Sequence, residues 1–483
     1  MRRPDLRRAV LVGAAAVLVG VVGGVAIAGR RGTEPCLPTA SAAGTPGRPN
    51  VVLILTDDQR WDTLAAMPNV QRLLVQQGVT FSNAFVDDPL CCPSRASILT
   101  GKYPHSTGVW QNAPPQGGFP AFDDRSTVAT WLHDAGYHTG LVGKYLNRYE
   151  TSYIPPGWDS WAAFDGSASR YALYYRYVLN VNGHPEVHGG GPGDYSTSVL
   201  TRHAVDFICG APQGPLFLSF DPYGPHWPYT PAPGDQYHGS ISAPGPGYDE
   251  ADVSDKPGWI RRIPRFDARR NAQVDQIRRA TYDTLISLDR SVGEIVDALQ
   301  RTGRLQNTLL VFTSDNGISW GEHRWVDKVA PYDESIRVPM VVRYDPVTAS
   351  RAGTTDPRLV VNIDLAPTFA EAAGVPAPGA EGRSFLPLLA GEHVRWRHDF
   401  AIEHLEDVQI PTYCGVRGTR WAYVAYGTGE EELYDLKRDP YELSNIAGSP
   451  RAAPTLLRLR ERARTLCDPL PPGFPGIPGR PTG

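Results

Sequence analysis

The sequence predicts an α/β fold: a large, mainly parallel sheet flanked by helices, followed by a small C-terminal antiparallel sheet with one helix. Three observations predict it. Residues 51–56 (VVLILT) and 309–313 (LLVFT) are continuous apolar runs, as expected of strands buried on both faces. Amphipathic stretches of helical length alternate with such runs, which is the pattern of a sheet covered on both sides. After about residue 380 the pattern changes to short strand-like runs separated by turns.

Taken in order, residues 67–77 read as a helix, with Pro68 near its start and Gly78 as its cap. Residues 126–135 read as a second helix, capped by Gly136 and followed by a strand through Leu141 and Val142. Residues 197–208 are helical and lead into an apolar strand at 215–220. The longest helical stretch runs from about 271 to 301, and 340–343 is a further short strand. In the C-terminal part, 400–403, 412–417, 421–426 and 432–435 form the small sheet, and 454–466 its helix. The expected organisation is a signal peptide or N-terminal membrane anchor (1–29), a linker (30–48), a catalytic region (49–380), a small α+β subdomain (381–470) and a disordered Pro/Gly-rich tail (471–483).

The N-terminal expectation rests on charge. Arg2, Arg3, Arg7 and Arg8 precede an apolar stretch at 9–28, which Arg30 and Arg31 follow. A basic start before an apolar segment marks export or anchoring, not folding. Arg7-Arg8 resembles a twin-arginine signal, and the stretch also suits one membrane span. The chain is therefore expected outside the cell or at the outer face of its membrane, where disulfides can form; of its six cysteines, five remain if Cys91 is chemically consumed, enough for at most two bridges whose pairing the sequence leaves open. The net charge of −4 is spread along the chain with no long run of either sign. That excludes a nucleic-acid surface as the expected function and assigns any charged ligand to a local site.

Two acidic pairs define such a site. Asp57 and Asp58 follow the first strand, and Asp315 and Asn316 follow the LLVFT strand. Ligands of open α/β sheets bind outside these carboxyl ends. Four short oxygen-bearing side chains suit a hard cation, and more than one carboxylate favours Ca²⁺. Either pair alone reads equally well as a turn or a helix cap.

The third element is Cys91-Cys92-Pro93-Ser94-Arg95, continuing to Leu99-Thr100-Gly101-Lys102. Pro93 suits the first helical position and Gly101 the C-terminal cap. Cys91 then sits just before a helix N-terminus, whose free N–H groups favour negative charge. Arg95, in the first turn, can face an anion or the nucleophile. The plainer reading is a vicinal disulfide or two buried thiols.

C-x-P-S-R followed by L-T-G-K resembles the signature of the formylglycine-dependent sulfatases of the alkaline phosphatase-like superfamily. Further matching stretches are 55–59 (LTDDQ), 90–105 (LCCPSRASILTGKYPH), 143–147 (GKYLN), 156–158 (PGW), 313–317 (TSDNG), 362–368 (NIDLAPT), 433–436 (LYDL) and Asp439-Pro440. The resemblance covers nearly all of 50–446 and is nearest to the N-acetylglucosamine-6-sulfatases and the extracellular heparan endosulfatases.

It implies that Cys91, two residues before Pro93, is oxidised to formylglycine by a formylglycine-generating enzyme. The hydrated aldehyde would attack sulfur. One Ca²⁺ would be held by Asp57, Asp58, Asp315, Asn316 and an oxygen of modified Cys91. Lys144 and Lys328 would hold sulfate oxygens, with Arg95 beside the nucleophile. His226, in Gly224-Pro225-His226-Trp227-Pro228, would protonate the leaving alcohol. The substrate would be a sulfated sugar of the N-acetylglucosamine-6-sulfate kind, or an aryl sulfate. Many arylsulfatases carry a histidine two residues after the Lys of the G-K motif. Here Leu146 and Asn147 follow instead, as in the glucosamine-6-sulfatase branch. His105 is the remaining candidate for the base of the second step, and His105 and Asn147 the candidates on the substrate side.

Two other functions are compatible with these residues: a phosphonate or phosphate ester hydrolase of the same fold, and a cell-surface carbohydrate-binding protein with an unconverted Cys91. Residues 152–264 are rich in aromatics, including Trp158, Trp161, Tyr171, Tyr174, Tyr175 and Trp227, which suit sugar stacking and loop packing equally.

Overall fold

A computed structural model describes residue 36 and residues 48–150, 152–166, 173–407 and 409–479. The expected signal or anchor segment lies outside the described residues, as does Tyr171. Among the described residues, no helix is long and apolar enough to cross a membrane.

The strand Asn50–Thr56 is buried at every position. Its side chains alternate between two apolar clusters: Val51, Leu53 and Leu55 belong to one, Val52 and Ile54 to the other. Thr308–Ser314 does the same with Leu309 and Val311 against Leu310 and Phe312. Both runs are unbroken in hydrophobicity because each face of the sheet is covered.

Among the described residues the sheet has ten strands. Their spatial order is Thr354–Asp356, Val79–Phe81, Met340–Arg343, Thr308–Ser314, Asn50–Thr56, Leu216–Asp221, His138–Gly143, Ser160–Phe164, Val178–Val181 and His184–Val187. The five strands from Thr308–Ser314 to Ser160–Phe164 are parallel. Met340–Arg343 is antiparallel on one side, and an antiparallel hairpin closes the other edge. The helices Ser196–Gly210 and Ala268–Arg301 pack on one another over one face.

The four C-terminal strands Asp399–His404, Tyr413–Gly418, Trp421–Tyr426 and Glu431–Asp435 form an antiparallel sheet in chain order. One face, with Phe400, Ile402, Tyr413, Val424 and Tyr426, joins the core beneath the large sheet. The other, with Val416, Tyr423 and Leu433, is covered by Leu456, Leu459 and Ala463 of the helix Ala453–Leu466. Cys414–Cys467 ties that helix to its sheet, and Cys36–Cys209 ties residue 36 to the helix Ser196–Gly210.

Residues 471–479, expected to be disordered, fold back onto this helix. Phe474 and Ile477 are buried against it, and Arg464 donates to the Pro478 carbonyl at 2.7 Å. Two spaced apolar side chains were enough to anchor a stretch whose Pro/Gly content reads as disorder. Of the aromatics at 152–264, Trp158, Trp161 and Tyr174 are core residues, whereas Trp227 is 50% exposed.

Candidate active site

The carboxyl ends of three strands of the parallel part of the sheet converge. Asp57 and Asp58 follow Asn50–Thr56, Asp315 and Asn316 follow Thr308–Ser314, and Lys144 follows His138–Gly143. The turns lock together: the Asp58 N–H donates to Asp315 Oδ1 at 3.1 Å, and the Asp315 N–H to the Thr56 carbonyl at 3.0 Å. Asp58 takes a left-handed φ of 64°, a conformation that Asp tolerates better than most residues. Two glycines allow the close approach. A Cβ on Gly143 would lie 1.9 Å from the Asp221 carbonyl oxygen, and one on Gly317 would lie 2.3 Å from that of Glu334.

The helix Cys91–Thr100 points its first turn at these strand ends. It starts at Cys91, not at Pro93: Leu90 is extended, and the Ser94 N–H donates to the Leu90 carbonyl at 3.1 Å. Pro93 therefore occupies the third helical position, where a missing N–H is still harmless. Gly101 ends the helix at φ 71°, as its position predicts. Cys91 and Cys92 are both free thiols.

Cys91 Sγ lies 3.6 Å from Asp57 Oδ1 and accepts from Lys328 Nζ at 2.9 Å. Burial pushes its thiol up to about 12. Lys144 Nζ donates to Asp57 Oδ2 at 2.5 Å, and Lys328 Nζ to Asp58 Oδ1 at 2.7 Å. Burial works against both ammonium groups, yet Asp57 holds the first above the ordinary lysine range and Asp58 holds the second well above it. Arg95 Nε donates to Asp315 Oδ2 at 2.8 Å, and its Nη1 to the Lys144 carbonyl at 2.7 Å. Its other terminal nitrogen is buried with no hydrogen-bond partner among the described residues and forms a longer ion pair with Asp57 Oδ2 at 3.9 Å. Arg95 thus braces the Asp315 and Lys144 loops and turns its remaining terminal nitrogen toward Asp57.

His226 stands at the rim. Its Nδ1 is 2.7 Å from the Trp227 carbonyl, which fixes the ring, and its Nε2 is 3.5 Å from Asp58 Oδ2. A cavity of about 270 Å³ opens here, lined among others by Lys144, Asn147, Arg148, Glu150, Tyr223 and His226. Asn147 reaches it from a turn whose N–H donates to Cys92 Sγ at 3.0 Å.

His105 is not brought to this cluster. Its Nδ1 is 2.8 Å from Glu403 and its Nε2 3.8 Å from Glu381. Burial alone would favour the neutral ring, but the two glutamates outweigh it and push the pKa up to about 10. An imidazolium held in this way has no free lone pair to act as a base.

The structure adds Asp221, at the end of Leu216–Asp221, to the residues found from sequence. Its Oδ1 is 3.7 Å from Arg95, and burial pushes its carboxyl up to about 7. Its position at a parallel strand's carboxyl end is the signal that could have found it.

The donor set fits a hard divalent cation. One ligand atom from each of Asp57, Asp58, Cys91 and His226 lies within 4.8 Å of the others. Asn316 Oδ1 is buried with no hydrogen-bond partner among the described residues, while its amide nitrogen donates to Asp58 Oδ1 at 2.6 Å. A buried carbonyl oxygen left without a donor is the condition that a cation relieves. Asp57, Asp58 and Asp315 meet Lys144, Lys328 and Arg95 here, so the site offers ligands to a divalent cation and donors to an anion.

Comparisons with known proteins agree with this geometry. Residues 49–375 match the Sulfatase family model, and residues 321–468 match N-sulphoglucosamine sulphohydrolase, C-terminal. The chain is 36% identical over 376 residues to the extracellular sulfatase SULF-1 homolog of Drosophila melanogaster. That match covers 74% of this chain but 33% of the fly protein, so the chain spans about a third of that relative's length. It is 33% identical over 479 residues to the N-acetylglucosamine-6-sulfatase of Capra hircus, covering 86% of this chain and 82% of the goat protein. A protein solved in complex with its substrate D-glucosamine-2-N,6-O-disulfate superposes with a TM-score of 0.77 at 25% identity, over 87% of this chain and 98% of that one. With its strand-end carboxylates, buried cysteine and paired lysines, the chain belongs to the sulfatase family and is a sulfuric ester hydrolase.

Proposed function

We propose that the chain hydrolyses the 6-sulfate ester of an N-acetylglucosamine-type sugar, with residue 91 as formylglycine and one Ca²⁺ held by Asp57, Asp58, Asp315 and Asn316. The observation that carries the proposal is the placement of Cys91 Sγ between Asp57 Oδ1 and Lys328 Nζ, with Lys144 on the same aspartate. The substrate class follows the names of the goat relative and of the substrate in the solved complex.

Bound there, Ca²⁺ supplies Lewis-acid polarisation of the sulfate group. Formylglycine at residue 91 would supply the oxygen nucleophile. Lys144 and Lys328 hold sulfate oxygens, and their burial makes each contact stronger than it would be in water. His226 delivers a proton from Nε2 to the departing sugar alcohol, while the Trp227 carbonyl holds Nδ1. Arg95 keeps Asp315 and the Lys144 loop in register. The sulfated ring occupies the cavity beside Asn147 and His226.

Export is part of this reading. The basic and apolar N-terminus, the two disulfides and the extracellular sulfatase relative support it. A formylglycine-generating enzyme is the partner that biosynthesis requires. The test is sulfate release by the calcium-loaded enzyme from a panel of sulfated monosaccharides, with phenyl phosphonate and phenyl phosphate as controls. N-acetylglucosamine 6-sulfate should be the best sugar substrate. Faster turnover of the phosphorus esters than of every sulfate would refute the assignment.

A further inference from the structure

Residue 91 is a free thiol in this structure, and a sulfur changes what the strand-end site can hold. One donor atom from each of Asp57, Asp58, Cys91 and His226 lies within 4.8 Å of the other three. Asp57 Oδ1 is 3.6 Å from Cys91 Sγ, and Asp58 Oδ2 is 3.5 Å from His226 Nε2. A tetrahedral Zn²⁺ has bonds of about 2.3 Å to sulfur and about 2.0–2.1 Å to nitrogen and oxygen, which sets neighbouring donors about 3.3–3.5 Å apart. Both measured separations lie close to those edges.

Each donor is also held from behind, as metal ligands are. Lys144 donates to the other oxygen of Asp57, which leaves Oδ1 toward Cys91. Lys328 donates to the other oxygen of Asp58 at 2.7 Å, which leaves Oδ2 toward His226. The Trp227 carbonyl, 2.7 Å from His226 Nδ1, can only accept. In the neutral ring Nδ1 therefore carries the proton and Nε2 keeps its lone pair. Lys328 also donates to Cys91 Sγ at 2.9 Å, a contact that suits a thiolate. One sulfur, one imidazole nitrogen and two carboxylate oxygens form a donor set for Zn²⁺, whereas oxygen donors alone suit Ca²⁺.

We propose that the chain with Cys91 unconverted is a zinc protein, in which Asp57, Asp58, Cys91 and His226 close around one Zn²⁺. Zinc entry expels the Cys91 thiol proton to solvent as the Zn–S bond forms. Four protein ligands complete the tetrahedron, so this form keeps no open position for a substrate. His226 is then a ligand and not an acid, and Asp315 and Asn316 stay outside the set. Conversion of Cys91 removes the sulfur and turns the site into the oxygen set that takes Ca²⁺. This exchange of metals rests on the formylglycine reading, and the zinc site itself does not.

The test uses the full chain made in a host without a formylglycine-generating enzyme, its thiol at residue 91 checked by mass. The protein is stripped with a chelator and titrated with Zn²⁺, Co²⁺ and Ca²⁺. One Zn²⁺ per chain should bind and stay bound in excess Ca²⁺. Co²⁺ should show a sulfur-to-cobalt charge-transfer band and the strong d–d bands of tetrahedral coordination. Cys91→Ser should abolish the charge-transfer band, and His226→Ala should keep it. Each should weaken Zn²⁺ binding by at least the roughly 10–100-fold that loss of a ligand's hydrogen-bond partner costs. Cys92→Ser should leave both the band and the affinity as in the parent. Release of Zn²⁺ by an equal concentration of Ca²⁺, a band that survives Cys91→Ser, a band lost in Cys92→Ser, or unchanged affinity in His226→Ala would overturn the zinc site. Any of these would leave the sugar-sulfate reading untouched, because the unconverted chain carries no aldehyde.

Discussion

The Lys328 ammonium donates to the Cys91 sulfur at 2.9 Å across 237 residues of sequence. The same nitrogen donates to Asp58 at 2.7 Å, so one lysine spans the nucleophile position and the cation site. Its support comes from the C-terminal sheet. Val329, the next residue, sits at φ 77°, which a β-branched residue rarely adopts, and Tyr413 Oη donates to its carbonyl at 2.8 Å. Lys328→Ala should therefore lower kcat/KM by roughly 10²–10³-fold on both nitrophenyl sulfate and sugar sulfate, because it holds oxygens common to both. A loss on one substrate alone would give Lys328 a role in sugar recognition instead.

The cation site makes a prediction of its own. Asp315→Ala and Asn316→Ala should each reduce bound Ca²⁺ from one per chain, measured by elemental analysis, and lower activity in step. Asp315→Ala should also cost stability, because it leaves Arg95 buried beside one carboxylate fewer, a change worth about 3–5 kcal/mol in buried pairs. Asn316 Oδ1 has no such partner, so Asn316→Ala should lose metal with a smaller drop in Tm. Full occupancy in both variants would remove these residues from the ligand set.

His226 is close enough to the cluster to be a ligand or an acid. If it is the acid, its loss should matter most for a poor leaving group. His226→Ala should reduce kcat/KM on sugar sulfate by roughly 10²–10⁴-fold and on nitrophenyl sulfate far less, with Ca²⁺ content unchanged. Equal losses on both substrates together with loss of Ca²⁺ would make it a ligand.

Much of this site was legible before folding, and the reasons differ by residue. Asp57, Asp58, Asp315 and Asn316 stand out because the strands before them are buried on both faces and so read as unbroken apolar runs. Cys91 and Arg95 stand out because five residues carry a specific register. Asp221 has only its strand-end position to mark it in the sequence, and its link to Arg95 exists only once the helix Cys91–Thr100 is docked. The burial of His105 against Glu403 joins residues 298 positions apart, which no local pattern encodes. Trp158 and Trp161 read as sugar platforms as readily as core residues, since periodicity does not reveal which face of a loop is covered.

His105 gives a pH prediction. Its pKa rises to about 10 in the fold from the ordinary 6.5, so its pairing stabilises the protein fully below about pH 6.5 and is lost as pH climbs through 10. The Tm difference between the parent and His105→Gln should be largest in acid-to-neutral buffer and shrink towards pH 10. A difference that grows with pH would contradict the glutamate pairing.

Residue 91 carries the reacting group, and peptide mass spectrometry tests this most directly. Protein made in a host with a formylglycine-generating enzyme should yield a peptide spanning 91–95 in which Cys91 has exchanged CH₂–SH for CHO and Cys92 is an intact thiol, with activity proportional to the converted fraction. Full activity from a chain whose Cys91 remains a thiol, or conversion at Cys92 alone, would contradict the account.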